Sequence, residues 1–466
     1  MSRNLPERVV ASLPGVGASI LALWPLLITS PAALAFSNPE PIPAAPAATS
    51  PNPAAPTAPA ATNPDPTPAD TAPAATNPDP AQPAVMPAEP LRQQSAPDDG
   101  RPPTGTEGEL DEIRPGVAIK RELDRIAAKT NVRFGFANTI LFQQASGGPG
   151  ERTAAGGDFD LLAKWTAIGA GTKDTGILAF AGEYRYQIGD LTPSALGGQI
   201  GTLLSTTNGF GERTPCVKEL YFDQRLFEDR FRFVIGRVDP ENLFGGHRMQ
   251  SANTFFLNKA FSTNPTIAFS GSGLAGAAQI KPVPWFYAHG GIADANGSAT
   301  TSNFKGFFQD GEFLAFAEAG FTPTIEGLGS GRYRIALWHI DARENAGRPS
   351  DEGFSISCDQ DLGEILLVFA RYGHADGDVT NVENSVQVGA GIKDVLGKEN
   401  LLGIAAAWSE PSGSGRRDEK VIEVFQRFQV TEVVQATVGV EVIFDPSNAP
   451  GDDVVGVFSA RLRISF

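Results

Sequence analysis

The sequence predicts an all-β protein: a transmembrane antiparallel β-barrel of about 16 strands, preceded by a short amphipathic helix and a disordered Pro/Ala-rich tether. Apolar and polar residues alternate along many short segments after Asn131. Almost no helical periodicity occurs in the same region, so the apolar faces of the strands have no helices to cover them. No later segment approaches the roughly 18 to 20 uninterrupted apolar residues of a spanning helix.

Residues 1–35 are predicted to be a secretory signal peptide. Arg3 and Arg8 precede an apolar stretch at 15–29 (GVGASILALWPLLIT), which leads to the small residues Ala33 and Ala35 on either side of Leu34. A basic region, a short apolar region and a small-x-small site follow one another in export signals. A membrane anchor is the alternative, although the apolar stretch is short and contains a proline.

Residues 36–106 are predicted to be a disordered linker. Of the 37 prolines in the chain, 18 fall between residues 38 and 100, and the decapeptide TAPAATNPDP occurs at both 57–66 and 71–80. A segment of this composition cannot bury a core and adopts extended, partly polyproline II conformations. We interpret it as an exported spacer, and a Pro-rich ligand for a recognition domain is the alternative.

Residues 107–130 are predicted to be a short periplasmic helical segment. Within it, 115–129 (PGVAIKRELDRIAAK) begins with a proline, which suits the first turn of a helix. Ile119, Leu123 and Ile126 recur at helical spacing on one side. The pattern indicates a plug or a docking element rather than a catalytic helix.

Residues 131–466 are predicted to form the barrel. Segments such as 132–136 (VRFGF), 159–167 (FDLLAKWTA) and 436–444 (ATVGVEVIF) place apolar residues on one face and polar residues on the other. This alternation fits a half-solvated sheet in a soluble protein as well as a barrel with a polar interior. The lack of covering helices, of long apolar core strands and of blade-like repeats favours the barrel. About 336 residues, at about 20 per strand with its connections, give about 16 strands and a water-filled channel.

Composition and motifs exclude several classes of function. The net charge of −16 and the lack of a basic aromatic patch argue against a nucleic-acid partner. The four histidines are scattered, and neither GxSxG nor HExxH occurs, so we predict no enzyme, no cofactor and no metal site. Cys216 and Cys358 could pair in an oxidising compartment or stay free, and their spacing does not decide between the two.

Several blocks of this region resemble the OprB-type carbohydrate-selective porins of Gram-negative outer membranes. The most specific block is KELYFDQRLFEDRFRFVIGRVDPENLFGG at 218–246, followed by FFLNKAFSTNP at 255–265. Further matches are 353–378, 396–412 and 423–450, in the order of the family. The resemblance implies a 16-stranded outer-membrane barrel that admits sugars and other small solutes passively. It also implies that Phe466 is the C-terminal aromatic residue that the barrel assembly machinery recognises.

In a diffusion channel, selectivity comes from the groups that line the narrowest part. Arginines and carboxylates offer sugars several directed hydrogen bonds, so charged residues within the matched blocks and on the inward-facing parity are the candidates. For each of them, an ordinary charge on the lumen wall or a structural ion pair is the alternative. The predicted pore-lining and selectivity residues are Arg237, Asp239, Arg371, Glu423, Arg461, Arg463, Glu219, Asp223 and Arg225.

The sequence therefore predicts an outer-membrane porin for carbohydrates, a monomer or homotrimer, with sugars, outer-membrane lipid and the assembly machinery as its partners. One alternative is a porin for inorganic ions or for solutes in general. Another is a structural barrel that anchors the envelope, with peptidoglycan as the partner of the N-terminal segment. A third is a secreted sugar-binding or sugar-cleaving β protein, which would be soluble without detergent.

Overall fold

The computed structural model describes residues 115–301, 304, 306–377 and 379–466. The predicted signal peptide, the predicted linker and residues 107–114 lie outside these described residues. Within them, no helix is long and apolar enough to cross a bilayer. The predicted helix at 115–129 is present as α1, Pro115–Thr130. Two further α-helices lie in connections between strands, α2 at Pro193–Ile200 and α3 at Lys259–Ser262.

Among the described residues, seventeen strands follow α1, and all but one of them form a closed antiparallel barrel. The first barrel strand pairs with the last as well as with the second, which closes the sheet. The exception is β9, a two-residue strand in the turn before β10. The predicted barrel of about 16 strands is confirmed. The strands are β1 Val132–Ala145, β2 Thr153–Ile168, β3 Gly176–Ile188, β4 Arg213–Leu226, β5 Phe231–Val238, β6 Gly273–Val283, β7 Phe286–Asp294, β8 Phe313–Phe321, β9 Thr324–Ile325, β10 Gly329–Ile340, β11 Asp351–Leu362, β12 Leu366–Ala375, β13 Val382–Lys393, β14 Leu401–Pro411, β15 Glu419–Gln429, β16 Val434–Phe444 and β17 Val454–Ser465.

Burial along the strands is the reverse of that in a water-soluble sheet. On β17, Phe458, Leu462 and Ile464 are 39–46% exposed, whereas Arg461 is 4% and Arg463 is 8% exposed. On β15, Ile422 and Val424 face outward, while the carboxylates on the other face are buried. Lipid is the solvent for the outer surface of a transmembrane barrel, so the apolar face stays outside. The alternation in the sequence therefore predicted the inward and outward faces of these strands correctly.

The connections differ in length at the two ends of the barrel. One end has short turns, such as 227–230, 284–285 and 430–433, while the other carries the connections 189–212, 239–272 and 295–312. Short turns mark the periplasmic end of an outer-membrane barrel. Helix α1 lies at this short-turn end, where Lys120 is 3.9 Å from Glu432.

Phe466 closes the barrel at the same end. Its ring stacks on that of Phe136 of β1 with 4.5 Å between the centroids, and its backbone N–H donates to the Phe136 carbonyl at 2.9 Å. The last residue therefore completes the seam between β17 and β1. Its role as an assembly signal stays a prediction.

Candidate functional site

Two long connections fold into the barrel and narrow its lumen. We call 189–212, which contains α2, inner loop 1, and 239–272, which contains α3, inner loop 2. Most residues of both loops are buried. Apolar loop residues such as Ile200, Phe256 and Phe261 pack against inward-facing wall residues such as Phe369 and Phe425. The lumen wall thus has an apolar area on which the loops rest, surrounded by polar and charged residues.

Glycines on the wall make room for these aromatic residues. At Gly403 of β14, a Cβ would lie 2.1 Å from the ring of Phe425 on β15, and at Gly389 of β13 it would lie 2.5 Å from the ring of Phe369 on β12. Each ring therefore occupies the space that a side chain would take at the glycine on the neighbouring strand. This arrangement leaves space above the rings for Phe256 of inner loop 2, which contacts both of them edge-on.

Carboxylates on β15 bind the backbone of both loops. The two oxygens of Glu423 accept hydrogen bonds from the backbone N–H groups of Leu257 at 2.7 Å and Asn258 at 3.0 Å. Four residues earlier, Glu419 accepts from Leu203 of inner loop 1 at 2.6 Å and from Leu204 at 3.3 Å. Because hydrogen bonds to a charged acceptor are stronger than neutral ones, these side chains fix the loops to the wall.

Arginines on the wall bind the carbonyl groups of inner loop 2. Arg461 of β17 donates to the carbonyls of Ala252 and Phe255, the latter at 2.9 Å. Arg371 of β12 donates to the carbonyls of Gly245 and Ala260, each at 3.2 Å, and to that of Thr263. Three of the predicted selectivity residues, Glu423, Arg371 and Arg461, are therefore brought together around inner loop 2, where they hold its backbone.

Two further predicted residues fix the start of inner loop 2. Asp239 caps the 3₁₀ turn at Pro240–Asn242, and its Oδ1 accepts from the backbone N–H of Glu241 at 3.1 Å. Glu219 of β4 accepts from the N–H of Asp239 at 3.0 Å and from the side-chain amide of Asn242 at 2.8 Å. Glu219 on the wall and the cap formed by Asp239 therefore determine the direction in which inner loop 2 leaves β5.

The remaining predicted residues lie in different places. Asp223 forms a bidentate salt bridge with Arg232, with N–O distances of 2.8 and 3.0 Å. Arg225 lies near the short-turn end, 3.9 Å from Asp229. Arg463 lies on the inner face and donates to Thr139 Oγ1 at 2.6 Å. Both cysteines are free.

Arg237 lies on the other face of the wall. In the register of β4 and β5 it is opposite Leu220, which is exposed on the outer surface. Its guanidinium donates to the carbonyls of Ser298, Ala299 and Thr301 in the connection after β7. This placement groups Arg237 with the outward-facing residues, and its role in selectivity stays a prediction.

A group of arginines that was not among the predicted residues reaches the open part of the lumen. Arg248 of inner loop 2 and Arg332 and Arg334 of β10 converge on Asp359 of β11, and Arg248 also lies 2.9 Å from Asp361. We call these five residues the arginine cluster. The side chains of Arg248 and Arg332 are 20% and 34% exposed, so part of each guanidinium is open to water.

A sequence signal for this cluster exists. In 331–337 (GRYRIAL), Arg332 and Arg334 alternate with Tyr333, Ile335 and Leu337, which face outward. The two arginines therefore have the inward parity. No local pattern marks Arg248, because its position depends on how inner loop 2 folds back against β11.

Comparison with known proteins identifies the family. The family model described as "Carbohydrate-selective porin, OprB family" matches residues 166–466. The chain belongs to this family. Together with the closed barrel, membership indicates a channel of the outer membrane rather than an enzyme.

Relatives of this porin are distant in sequence. Porin AaxA of Chlamydia abortus is 24% identical over 268 residues, which cover 55% of this chain and 59% of that protein. Porin AaxA of Chlamydia muridarum is 22% identical over 279 residues, or 58% of this chain and 60% of that protein. The match thus spans about three fifths of the length of these curated relatives. The high-pH structure of Pseudomonas putida OprB is 16% identical, has a TM-score of 0.58, and is matched over 74% of this chain and 96% of that one; it supports the barrel fold.

Inner loop 2 also contains a buried histidine that is fully hydrogen-bonded in its neutral form. His247 Nε2 lies 2.7 Å from the carbonyl of Phe261, its Nδ1 accepts from the N–H of Met249, and its ring stacks on Phe369. Burial, together with the nearby charge of Arg371, holds the pKa of His247 well below its usual value. By contrast, burial and the charge of Asp239 raise the pKa of Glu241 to about 8.

These two groups respond to pH in opposite directions. In the seated loop, the raised pKa of Glu241 lets its carboxyl hold a proton that the released loop gives up, so Glu241 favours the seated loop as the pH falls below about 8. A released His247 binds a proton below about pH 6.5, whereas the seated one does not, so protonation favours the released loop. The contribution of His247 to the seated loop is complete above about pH 6.5 and falls by up to about 1.4 kcal/mol per pH unit below it, until the pH reaches the lowered pKa. Because Glu241 offsets this loss, the effect of His247 on single-channel current noise is measured against a variant that lacks the imidazole.

The variant His247→Gln isolates the contribution of this histidine. With the imidazole removed, only the opposing effect of Glu241 remains, so the current noise of the variant should fall between pH 7.5 and 5.0 relative to that of the unaltered protein. An equal change in both proteins would assign the pH response to other groups.

Proposed function

We propose that this protein is an outer-membrane porin through which carbohydrates diffuse passively. The observation that carries the proposal is the arginine cluster, which offers water-exposed guanidinium groups next to the carboxylates of Asp359 and Asp361. Sugar hydroxyl groups both donate and accept hydrogen bonds, so arginines beside carboxylates can bind them from several directions. Membership of a family described as carbohydrate-selective supports the same solute class.

The adjoining strands β7 and β8 add a second group of the same chemistry, since β8 pairs with β10. Tyr287 of β7 donates its hydroxyl hydrogen bond to Glu318 of β8 at 2.7 Å, and His289 lies 4.0 Å from the same carboxylate. All three side chains project into the lumen, since their neighbours in the strands face outward. A sugar that contacts the arginine cluster would meet this phenol, imidazole and carboxylate on the same side of the channel.

The inner loops would give the proposed channel its selectivity for the size of the solute. Because wall residues bind their backbones through several charge-assisted hydrogen bonds, the loops form a fixed narrowing instead of mobile flaps. Passage would then depend on the size of the solute and on exchange of its water hydrogen bonds for those of the lumen wall.

Bilayer conductance of the purified, refolded protein tests the proposal. Titration with glucose and with maltooligosaccharides should reduce the current in a saturable way, since a bound sugar blocks the flow of ions. Steps of conductance that sugars leave unchanged would contradict carbohydrate transport. The reversal potential in a salt gradient would then test the alternative, a porin for inorganic ions. The arginine cluster contains three arginines and two aspartates, so its net positive charge predicts a preference for anions.

For the N-terminal part of the chain we propose export by residues 1–35, a tether at residues 36–106 and a periplasmic contact at residues 107–130. The exposed charged side chains of α1 support a contact outside the barrel. Deletion of residues 38–130 should leave sugar conductance intact. If the deletion loosens the envelope of cells without changing uptake, it supports peptidoglycan as the partner of this segment.

A further inference from the structure

The guanidinium of Arg332 has donor groups that no described residue uses. Its Nε lies 3.5 Å from Asp359 Oδ2, but Arg332 forms no hydrogen bond with any residue that the structure describes, and its side chain is 34% exposed. Arg334, two residues further along the same inward face of β10, donates to Asp359 at 3.2 Å, while its Nε is buried without an acceptor among the described residues. The two arginines therefore have more N–H groups than Asp359 can accept.

The charges around this pair leave a positive excess. The arginine cluster has three arginines and two aspartates. Arg371 adds a further positive charge: only Ser357 separates it from Arg334 in the register, and its described acceptors are all uncharged oxygens. Glu318 on the neighbouring β8 offsets one charge. Glu241 also lies near Arg371, but burial raises its pKa to about 8, so its carboxyl is mostly uncharged at pH 7.

Tyr287 provides an aromatic surface beside the same arginines. It is opposite Gly320 of β8, which in turn is opposite Arg334 of β10. A Cβ at Gly320 would lie 2.5 Å from ring atoms of Tyr287, so the phenol ring occupies the space above this glycine and no side chain of this row separates it from Arg334. One face of a pyranose ring carries C–H groups, which can pack against an aromatic ring.

We propose that Tyr287, Arg332 and Arg334 bind sugar acids, monosaccharides that carry a carboxylate, in preference to neutral sugars. The sugar ring packs against Tyr287, and the exposed guanidinium of Arg332 binds the carboxylate, with the charge of Arg334 beside it. Arginine matches the geometry of a carboxylate, and hydrogen bonds between two charged groups are stronger than those to a neutral hydroxyl group. The inference rests on the proposed function, since it requires that sugars enter the lumen, and it names the class of sugar.

Block of the single-channel current by three related solutes tests the inference. Glucuronate has the ring of glucose with a carboxylate at C6, and its methyl ester keeps that shape without the charge. In about 0.1 M KCl, glucuronate should block at a concentration about tenfold lower than glucose or the ester. This advantage should shrink in about 1 M KCl, where the screening length falls to about 3 Å.

Variants locate the charge recognition. Arg332→Gln keeps N–H donors but loses the charge, so it should remove most of the advantage of glucuronate over glucose. Tyr287→Leu should weaken block by both solutes alike and leave their ratio unchanged. The matched control is Arg133→Gln, because Arg133 is an exposed arginine with the inward parity of β1. Equal numbers of barrel strands separate β1 from β10 in both directions, so this control removes the same charge from the opposite wall.

The ratio of the two affinities is measured within one protein, so a change in stability does not alter it. Block by glucose without an advantage for glucuronate would overturn the inference and leave the proposed function standing. Equal block by glucuronate and its methyl ester would overturn it as well, because the charge would then not be recognised. An equal loss of the advantage in Arg332→Gln and Arg133→Gln would overturn it by assigning the preference to the field of the whole lumen. Absence of block by all three solutes would contradict the proposed function itself.

Discussion

Replacement of Arg461 by methionine is expected to release inner loop 2 and to raise both the conductance and the current noise of single channels. Methionine keeps an unbranched apolar stem and removes the donors to the carbonyls of Ala252 and Phe255. Loss of two hydrogen bonds from a charged donor costs about 3 kcal/mol, which shifts the balance between seated and released loop roughly a hundredfold. Recordings from planar bilayers measure the effect directly.

Arg417→Met is the matched control for this substitution. Arg417 also binds loop carbonyls, those of Pro446, Ala449 and Asp452, but it does so in the outer connection between β16 and β17. We expect it to leave conductance and noise unchanged. The heat-dependent mobility of Arg461→Met in gels shows whether the variant forms a closed barrel. If it does, and its conductance and current noise equal those of the unaltered protein, Arg461 does not hold the loop.

Replacement of Arg332 by serine is expected to weaken block of the channel by sugars about tenfold. The guanidinium of Arg332 is partly exposed to the lumen and lies 3.5 Å from Asp359, so it can bind a passing hydroxyl group while its charge stays balanced. Loss of one such charged donor corresponds to roughly 1.4 kcal/mol or more. Concentration dependence of the sugar block gives the affinity.

Arg332→Gln separates hydrogen bonding from charge at the same position. Glutamine keeps two N–H donors without the positive charge, so sugar block should recover in part while selectivity for anions falls. Arg152→Ser, in the exposed turn between β1 and β2, serves as the control and should behave like the unaltered porin. Unchanged sugar block in Arg332→Ser would remove this residue from the proposed binding path.

Inner loop 2 is held at opposite parts of the barrel wall. It contacts the wall through Asn253 on the side of β2 and through Arg248 on the side of β11. A loop held at both places would keep Arg248 in a defined position for solute contact.

The amino-acid sequence by itself determined the strands, their faces and the number of strands in the barrel. These features depend on local alternation, because successive side chains of a strand point to opposite sides. The same alternation places Arg461 and Arg463 on the inner face and, with Phe233 and Ile235, places Arg237 on the outer one. The role of Arg237 in selectivity, which was inferred from its position in a matched block, stays a prediction.

Only the tertiary structure decided which charged residues meet solute and which hold the loops. Glu423 binds Leu257 and Arg461 binds Phe255, although more than 160 residues separate the partners in each pair. Nothing local distinguishes these side chains from Arg332, since all of them are inward charges on alternating strands. Their roles depend on where inner loop 2 packs against the wall, and that packing results from contacts between its apolar residues and the buried aromatic side chains of β12 and β15.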